Sequence, residues 1–171
     1  DQYQVPGLTI ECAVDSVTKP GHEFYFRMRP TVMMMIPSVM PKVLKTFDAR
    51  AAGFLVINDG YGNLFTETVM NELEWRDIKT VVKETFDRGS TDYSDQLERI
   101  KKAKPDILFY VGTASEGATI LTQAKLKGLM HRTKFIGSEE MGEMELPRRA
   151  GKDAVEGTYA ISLWGKVPLD F

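Results

Sequence analysis

Three short segments of this 171-residue chain carry side chains that could bind a small polar molecule, and each follows a short apolar run. Tyr61 offers a ring that could cover a ligand and a hydroxyl that could hydrogen-bond to it. Glu139 offers a carboxylate, a group that pairs strongly with an ammonium group inside a closed cleft. Thr113, Ala114 and Ser115 are small and would leave space for the rest of a ligand.

Each of these residues also has a purely structural interpretation. Tyr61 could shield the start of the next helix, and Glu139 could be a solvated loop acid, which is the commoner environment of glutamate. Glu140 stands beside Glu139, so the register of the acidic position is open by one residue. Ser115 could serve as the N-cap of the helix that follows it. The choice between these interpretations depends on where the surrounding helices and strands place the side chains.

Alternating helices and strands are predicted from about residue 31 onward. The first predicted helix contains Pro41, which must either produce a kink or occupy the first turn. Apolar residues at helical spacing indicate that helix: Met33, Ile36, Val39, Met40, Val43, Leu44 and Phe47. Five further runs predict strands at 53–58, 79–86, 107–111, 134–136 and 158–162. Helices are predicted between the strands at 64–75, after a cap at Asp92, and at 116–127.

This alternation is typical of a doubly wound α/β fold with a parallel sheet, for which we expect the strand order 2-1-3-4-5. Ligands bind such sheets outside the carboxyl ends of the strands, where the strand order reverses. For this order the reversal lies between the first and third strands, and the loop after the fourth strand is beside it. Tyr61, Thr113 and Glu139 lie in these three loops, so we expect them to converge at one edge of the sheet.

Residues 1–29 do not continue the pattern. The segments 8–10 and 24–26 are strand-like, but no helix is predicted between them, and Pro30 follows directly. We interpret residues 1–29 as part of another layer or domain, with the chain crossing over near residues 28–31.

Several segments, through their order and spacing, resemble one known family. They are Phe-Tyr-Phe-Arg at 24–27, the strand-like run ending in Asp-Gly-Tyr-Gly at 54–62, Asp-Tyr-Ser at 92–94, Lys-Phe-Ile-Gly at 134–137 and Ala-Val-Glu-Gly at 154–157. Over nearly its whole length the sequence resembles the type I periplasmic binding proteins, specifically the leucine/isoleucine/valine-binding group.

The resemblance implies a protein of two lobes joined by three hinge strands, with the ligand closed between them. On that plan, residues 1–29 are the tail of the first lobe and a hinge crossing, 30–163 are the second ligand-binding lobe, and 164–171 are a truncated second hinge segment. It also implies an extracytoplasmic solute-binding component of an ABC importer, periplasmic or membrane-anchored outside the cell. The expected partners are an amino acid or related small carboxylate and a membrane permease, and no cofactor is expected.

The resemblance also assigns site residues. Tyr61 matches the tyrosine that contacts the amino acid in this family, and Glu139 matches its ammonium-binding glutamate. Ala13 lies in the loop that binds the ligand carboxylate, but it stands where a threonine is expected, and Glu11 would repel a carboxylate. Residues 113–115 are small where branched-chain binders have a large aromatic residue. These departures leave open a binder of aromatic or other organic acids without an amine. The same fold also serves in sensory receptors, so the ligand-binding domain of a sensory receptor is a second alternative.

Charge and composition argue against several other functions. The net charge is −2, and acidic and basic residues are mixed along the chain, so no basic stripe indicates nucleic acid as a partner. Cys12 is the only cysteine, which excludes an internal disulfide. His22 and His131 are isolated from other metal-ligating residues, and no serine has a plausible base partner, so neither a metal site nor an enzyme is predicted.

Overall fold

The structure is a computed structural model and describes residues 4–162. Its strands are β1 (Gly7–Thr9), β2 (Tyr25–Arg27), β3 (Ala51–Ile57), β4 (Lys79–Phe86), β5 (Ile107–Val111), β6 (Lys134–Gly137) and β7 (Tyr159–Ala160). Its helices are α1 (Val32–Phe47), α2 (Gly60–Glu74), α3 (Ser94–Ala103), α4 (Ala114–Leu126), α5 (Glu145–Ala150) and α6 (Lys152–Val155). No helix in this part of the chain has both the length and the apolar character of a membrane span.

The central sheet has the spatial order β4-β3-β5-β6-β7, and all neighbouring strands in it are parallel. When the five strands of this sheet are numbered in chain order from β3, the spatial order is 2-1-3-4-5, as predicted. The predicted doubly wound parallel sheet is therefore confirmed, and the strand order reverses between β3 and β5.

The central strands β3 and β5 are buried on both faces, which explains why they read as continuous apolar runs in the sequence. Phe54 and Phe109 point to the face that α1 and α2 cover, and their rings stack with centroids 5.4 Å apart. Leu55 and Tyr110 point to the opposite face, which α3 and α4 cover. Because neighbouring side chains in a strand alternate between faces, each strand contributes to both halves of the core.

Helix α1 begins after Thr31, whose hydroxyl accepts a hydrogen bond of 3.3 Å from the Met34 amide. Pro41 lies inside this helix, so the alternative that placed it in the first turn is wrong. The predicted apolar stripe was also wrong at Met33, which is 58% exposed. Methionine is apolar, but here the buried face begins one residue earlier, at Val32, and continues at Met35.

Two other helix starts differ from the prediction. Helix α2 begins at Gly60 instead of residue 64, because the Asp59 carboxylate accepts a hydrogen bond of 2.8 Å from the Gly62 amide and caps it. At α3 the N-cap position is Tyr93, not Asp92, although the Asp92 carboxylate accepts a 2.9 Å hydrogen bond from the Ser94 amide.

Residues before α1 form a separate, two-stranded parallel sheet of β1 and β2. The Arg27 guanidinium stabilises the loop between these strands by donating to the Val14 carbonyl at 2.6 Å and the Thr18 hydroxyl at 3.0 Å. Ala13 joins this segment to the main core, because it is buried against α1 and its carbonyl accepts a 3.1 Å hydrogen bond from the Val32 amide. The division into lobes at residue 29 stays a prediction, and the predicted hinge segment 164–171 lies outside the described residues.

Candidate functional site

Tyr61, Thr113 and Glu139 follow β3, β5 and β6, respectively, at the carboxyl ends of parallel strands. These ends lie along one edge of the sheet, at and beside the reversal of strand order. The side chains of Tyr61 and Glu139 meet there, because the Tyr61 hydroxyl donates a 2.8 Å hydrogen bond to Glu139 Oε2.

The position of Tyr61 is fixed by the first turn of α2. Asp59 caps that turn, and Gly62 lies so close to β3 that a Cβ at this residue would be 2.0 Å from the Ile57 carbonyl oxygen. The Tyr61 ring also packs near Phe65, with centroids 6.2 Å apart. Burial, and secondarily the negative charge of Glu139, raise the pKa of the Tyr61 hydroxyl far above its usual range. The hydroxyl therefore stays protonated and acts as a donor to the carboxylate.

Arg29 is the residue of this site that the sequence analysis missed. Its Nη2 pairs with Glu139 Oε1, and its Nη1 donates a 2.6 Å hydrogen bond to the Glu11 carbonyl. The Arg29 and Glu139 side chains are only 12% and 13% exposed, so the pair is largely shielded from solvent. Their separation of 110 residues explains why no local spacing pattern indicated the contact. The available signal was the position of Arg29 in the predicted crossing at residues 28–31.

Two cavities adjoin this pair. The larger has a volume of about 740 Å³ and the smaller about 180 Å³, and both are lined by Glu11, Arg29, Glu139 and Glu140. Glu143 also lines the larger cavity, so the described residues contribute four carboxylates and one guanidinium to its lining. Burial, followed by repulsion from Glu139 and Glu143, raises the pKa of Glu140. The cleft is therefore acidic and would be stabilised by an additional positive charge.

Ala13 lines the smaller cavity together with Tyr61 and Glu139. The structure thus brings together three of the predicted site residues, one of them from the segment before α1. The Ala13 side chain is almost fully buried and has no hydroxyl, and its carbonyl is already bonded to the Val32 amide. This residue can shape the cavity, but its side chain cannot hydrogen-bond to a ligand.

Thr113, Ala114 and Ser115 line neither of these cavities. Thr113, not Ser115, is the N-cap of α4, and it forms a capping box with Glu116. Ala114 is buried, and Ser115 is exposed in the first turn of the helix. Glu116 also accepts a 2.8 Å hydrogen bond from the Gly89 amide, so this cluster ties the loop after β4 to α4.

Among residues 4–162, no group of three or more His, Cys, Asp or Glu side chains is placed to hold a metal ion. The groups that face the cleft are instead suited to ion pairing and hydrogen bonding: a guanidinium, several carboxylates and a phenol.

Known proteins resemble this chain over almost all of its length. A family model described as periplasmic binding protein matches residues 1–168. The leucine-, isoleucine-, valine-, threonine- and alanine-binding protein of Pseudomonas aeruginosa is 28% identical over 163 residues, which are 94% of this chain and 43% of that protein. The Leu/Ile/Val-binding protein of Citrobacter freundii is 31% identical over 157 residues, which are 90% of this chain and 42% of that protein. The chain spans less than half the length of the curated relatives it matches.

Solved structures share the fold. A leucine-binding protein from Thermotoga maritima has a TM-score of 0.81 and 21% identity, and the match covers 92% of this chain and 44% of that one. A branched-chain amino acid transporter substrate-binding protein from Streptococcus pneumoniae, in complex with isoleucine, has a TM-score of 0.80 and 21% identity over 98% of this chain and 47% of that one. The family model covers residues 1–168 of the 171. The chain therefore belongs to the periplasmic binding protein family.

Proposed function

We propose that this chain forms one lobe, with the tail of the other, of an extracytoplasmic receptor that binds a small solute between two lobes. The observation that carries the proposal is the contact between Tyr61 and Glu139 inside a cleft lined from two sides. One side is the segment around Glu11 and Ala13, and the other is the turn that carries Glu139 and Glu140.

The ligand that this cleft fits best is an amino acid or a related small carboxylate. Four lining carboxylates against one guanidinium favour a ligand that brings a positive charge, such as an ammonium group. The relatives from Pseudomonas aeruginosa and Citrobacter freundii are named for binding such amino acids. The volume of about 740 Å³ is in the range of small-molecule sites.

Binding without chemical conversion is the role we infer for these groups. A phenol whose pKa lies far above its usual range keeps its proton, so Tyr61 is a poor general base and a good hydrogen-bond donor. Glu139 is already held by two donors, which orients it as a binding group.

The remainder of a first lobe is expected to pack on the two-stranded sheet. Leu8, Ile10, Phe26 and Met28 are each more than half exposed there, although they belong to or adjoin β1 and β2. A set of exposed apolar side chains this close together is typical of a surface that a partner covers. The cleft would then lie between the two lobes, and a ligand that contacts both would stabilise their closure.

The closed receptor would dock on the permease of an ABC importer, in the periplasm or on the outer side of the cell membrane. Support for this step comes from the family to which the chain belongs and from the transporter relatives among the solved structures.

A thermal-shift screen of the two-lobed protein tests the proposal, with amino acids, their deaminated counterparts and aromatic acids as probes. We expect amino acids to raise the melting temperature, because a ligand that binds only the folded state stabilises it. Calorimetry of Glu139→Gln should then show a larger loss of affinity for an amino acid than for its deaminated counterpart. Glu67→Gln, an exposed change on α2, is the control. A screen without amino-acid stabilisation, or with stabilisation by aromatic acids alone, contradicts the proposal.

A further inference from the structure

We propose that Arg29 is the carboxylate-binding residue of this cleft, and that a zwitterionic ligand enters by exchanging ion pairs with Arg29 and Glu139. The ligand ammonium takes the place of the guanidinium on Glu139, and the ligand carboxylate takes the place of Glu139 on Arg29. This inference rests on the proposed function, since it assumes that an amino acid binds here.

The cleft contains a matched pair of charges. The Arg29 guanidinium contacts one oxygen of Glu139, and the Tyr61 hydroxyl donates to the other at 2.8 Å. Each oxygen of Glu139 has one donor and can accept another, but the guanidinium and an incoming ammonium group compete for the same single negative charge. Arg29 carries the charge that an ammonium would bring, so it is the partner whose replacement conserves charge.

Arg29 lines both cavities and is incompletely bonded. Arg29 and Glu139 both line the two cavities, so a ligand in either cavity reaches both. The guanidinium has five N–H donors. Its Nη1 and Nη2 have partners on Glu11 and Glu139, but its buried Nε has none. A planar carboxylate can accept two parallel hydrogen bonds from a guanidinium, which the present contacts do not provide.

A ligand carboxylate needs a cation or a hydrogen-bond donor in the cleft. The segment around Ala13, where the resemblance predicted the carboxylate-binding loop, has an alanine in place of the expected threonine. The Ala13 side chain has no hydroxyl to donate, and the neighbouring Glu11 would repel an anion. Among residues 4–162, Arg29 is the cation in the lining of these two cavities. It therefore supplies the positive charge that a ligand carboxylate needs once Glu139 has been released.

The exchange also preserves electrical balance. Before binding, Arg29 and Glu139 neutralise each other, and afterwards each is neutralised by one end of the ligand. A ligand with only an amine would displace Arg29 from Glu139 without offering it a carboxylate, and one with only a carboxylate would leave Glu139 without its counter-ion. The pair therefore favours molecules that carry both charges over molecules that carry one of them.

Calorimetry on the two-lobed protein tests the exchange with leucine, 3-methylbutylamine, which lacks the carboxylate, and 4-methylpentanoate, which lacks the amine. For Arg29→Met, we expect leucine affinity to fall about tenfold or more, because a charge-assisted contact is lost. Affinity for the amine should rise, since its competitor for Glu139 has been removed. For Glu139→Gln, leucine affinity should fall and affinity for 4-methylpentanoate should rise, because Arg29 is then free.

Two further variants complete the design. The double variant Arg29→Met with Glu139→Gln removes both charges, so neither is left unpaired and misfolding from an unpaired charge is avoided. Its affinities for leucine, 3-methylbutylamine and 4-methylpentanoate should be close to one another. Arg99→Met breaks the pair of Arg99 with Glu84, an Arg–Glu contact between α3 and β4 outside the cleft, and should leave all three affinities unchanged.

The outcomes separate the two proposals. If wild-type protein binds leucine but Arg29→Met lowers the affinities for leucine and the amine equally, or changes neither, the exchange is overturned and the proposed function stands. If wild-type protein binds no amino acid, the proposed function is overturned and the exchange falls with it.

Discussion

The Tyr61 hydroxyl donates a 2.8 Å hydrogen bond to Glu139 Oε2, although 78 residues separate them and β5 lies between the strands that precede them. The contact forms because β3, β5 and β6 are parallel, so the turns after them share one edge of the sheet. Tyr61 reaches across this edge from the first turn of α2.

Tyr61→Phe is expected to weaken ligand binding while the protein stays folded. The change removes the hydroxyl that orients Glu139 and keeps the ring that packs near Phe65. A hydrogen bond to a charged group contributes about 1.5–3 kcal/mol, but the ligand loses only the orientation of Glu139, so affinity should fall by about tenfold or less. Calorimetry with an amino acid measures the loss. The exposed Tyr25→Phe is the matched control, and equal effects of both changes would contradict a role for Tyr61 in the site.

Gly62→Ala is expected to destabilise the protein, because its Cβ would lie 2.0 Å from the Ile57 carbonyl oxygen. Relieving the clash requires the start of α2 to move away from β3, and overpacking of this kind costs about 1–3 kcal/mol. Chemical denaturation measures the change in the free energy of unfolding. Gly60→Ala, two residues earlier, has nothing within 4 Å of the added Cβ and should be close to neutral. Similar losses for both variants would show that the close approach at Gly62 is not the cause.

The strands of the central sheet could be predicted closely from the sequence, and the helix starts could not. Strands β4 and β5 match the predicted ranges residue for residue, β6 is one residue longer, and β3 begins two residues earlier and ends one residue earlier than predicted. Strand β7 has two residues where five were predicted. In β3 and β5, burial on both faces produces the continuous apolar run that indicated these strands. The start of α2 was placed four residues too late, because Gly60 and Gly62 suggested a turn, whereas Asp59 caps a helix that contains both glycines.

The candidate site was predictable in part for a similar reason. The positions after β3 and β6 follow from the order of a parallel sheet, so Tyr61 and Glu139 could be placed at one edge without coordinates. Arg29 could not be found this way, because it comes from outside the sheet and meets Glu139 across 110 residues. Thr113 lies in a loop at the predicted edge, but its hydroxyl is used by the capping box with Glu116, and its role in ligand binding stays a prediction.

Thr113→Ala is expected to lower stability without changing ligand selectivity. The Thr113 hydroxyl accepts from the Glu116 amide, and loss of such an N-cap costs about 1 kcal/mol. Ser115→Ala should change the free energy of unfolding by no more than about 0.5 kcal/mol, because this serine is exposed and is not the cap. Denaturation curves of the two variants give the comparison. A change in the ratio of affinities for leucine and 4-methylpentanoate in Thr113→Ala would show that this loop contributes to the binding site.

Stability is expected to depend on pH through Glu140. Burial and the charges of Glu139 and Glu143 raise the pKa of Glu140 above its ordinary value of 4.5. The folded protein then holds this proton more tightly than the unfolded chain does. The contribution of Glu140 to stability is therefore greatest below pH 4.5, falls as the pH rises through the folded pKa, and is level above it.

Glu140→Gln removes this unfavourable charge and tests the sign directly. The variant should melt at a higher temperature than the wild type near neutral pH, and the difference should shrink as the pH falls toward 4.5. Melting curves across this range measure the effect, with the exposed Glu67→Gln as the control. A variant that melts lower than the wild type near neutral pH would mean that Glu140 is already compensated by a cation such as Arg88.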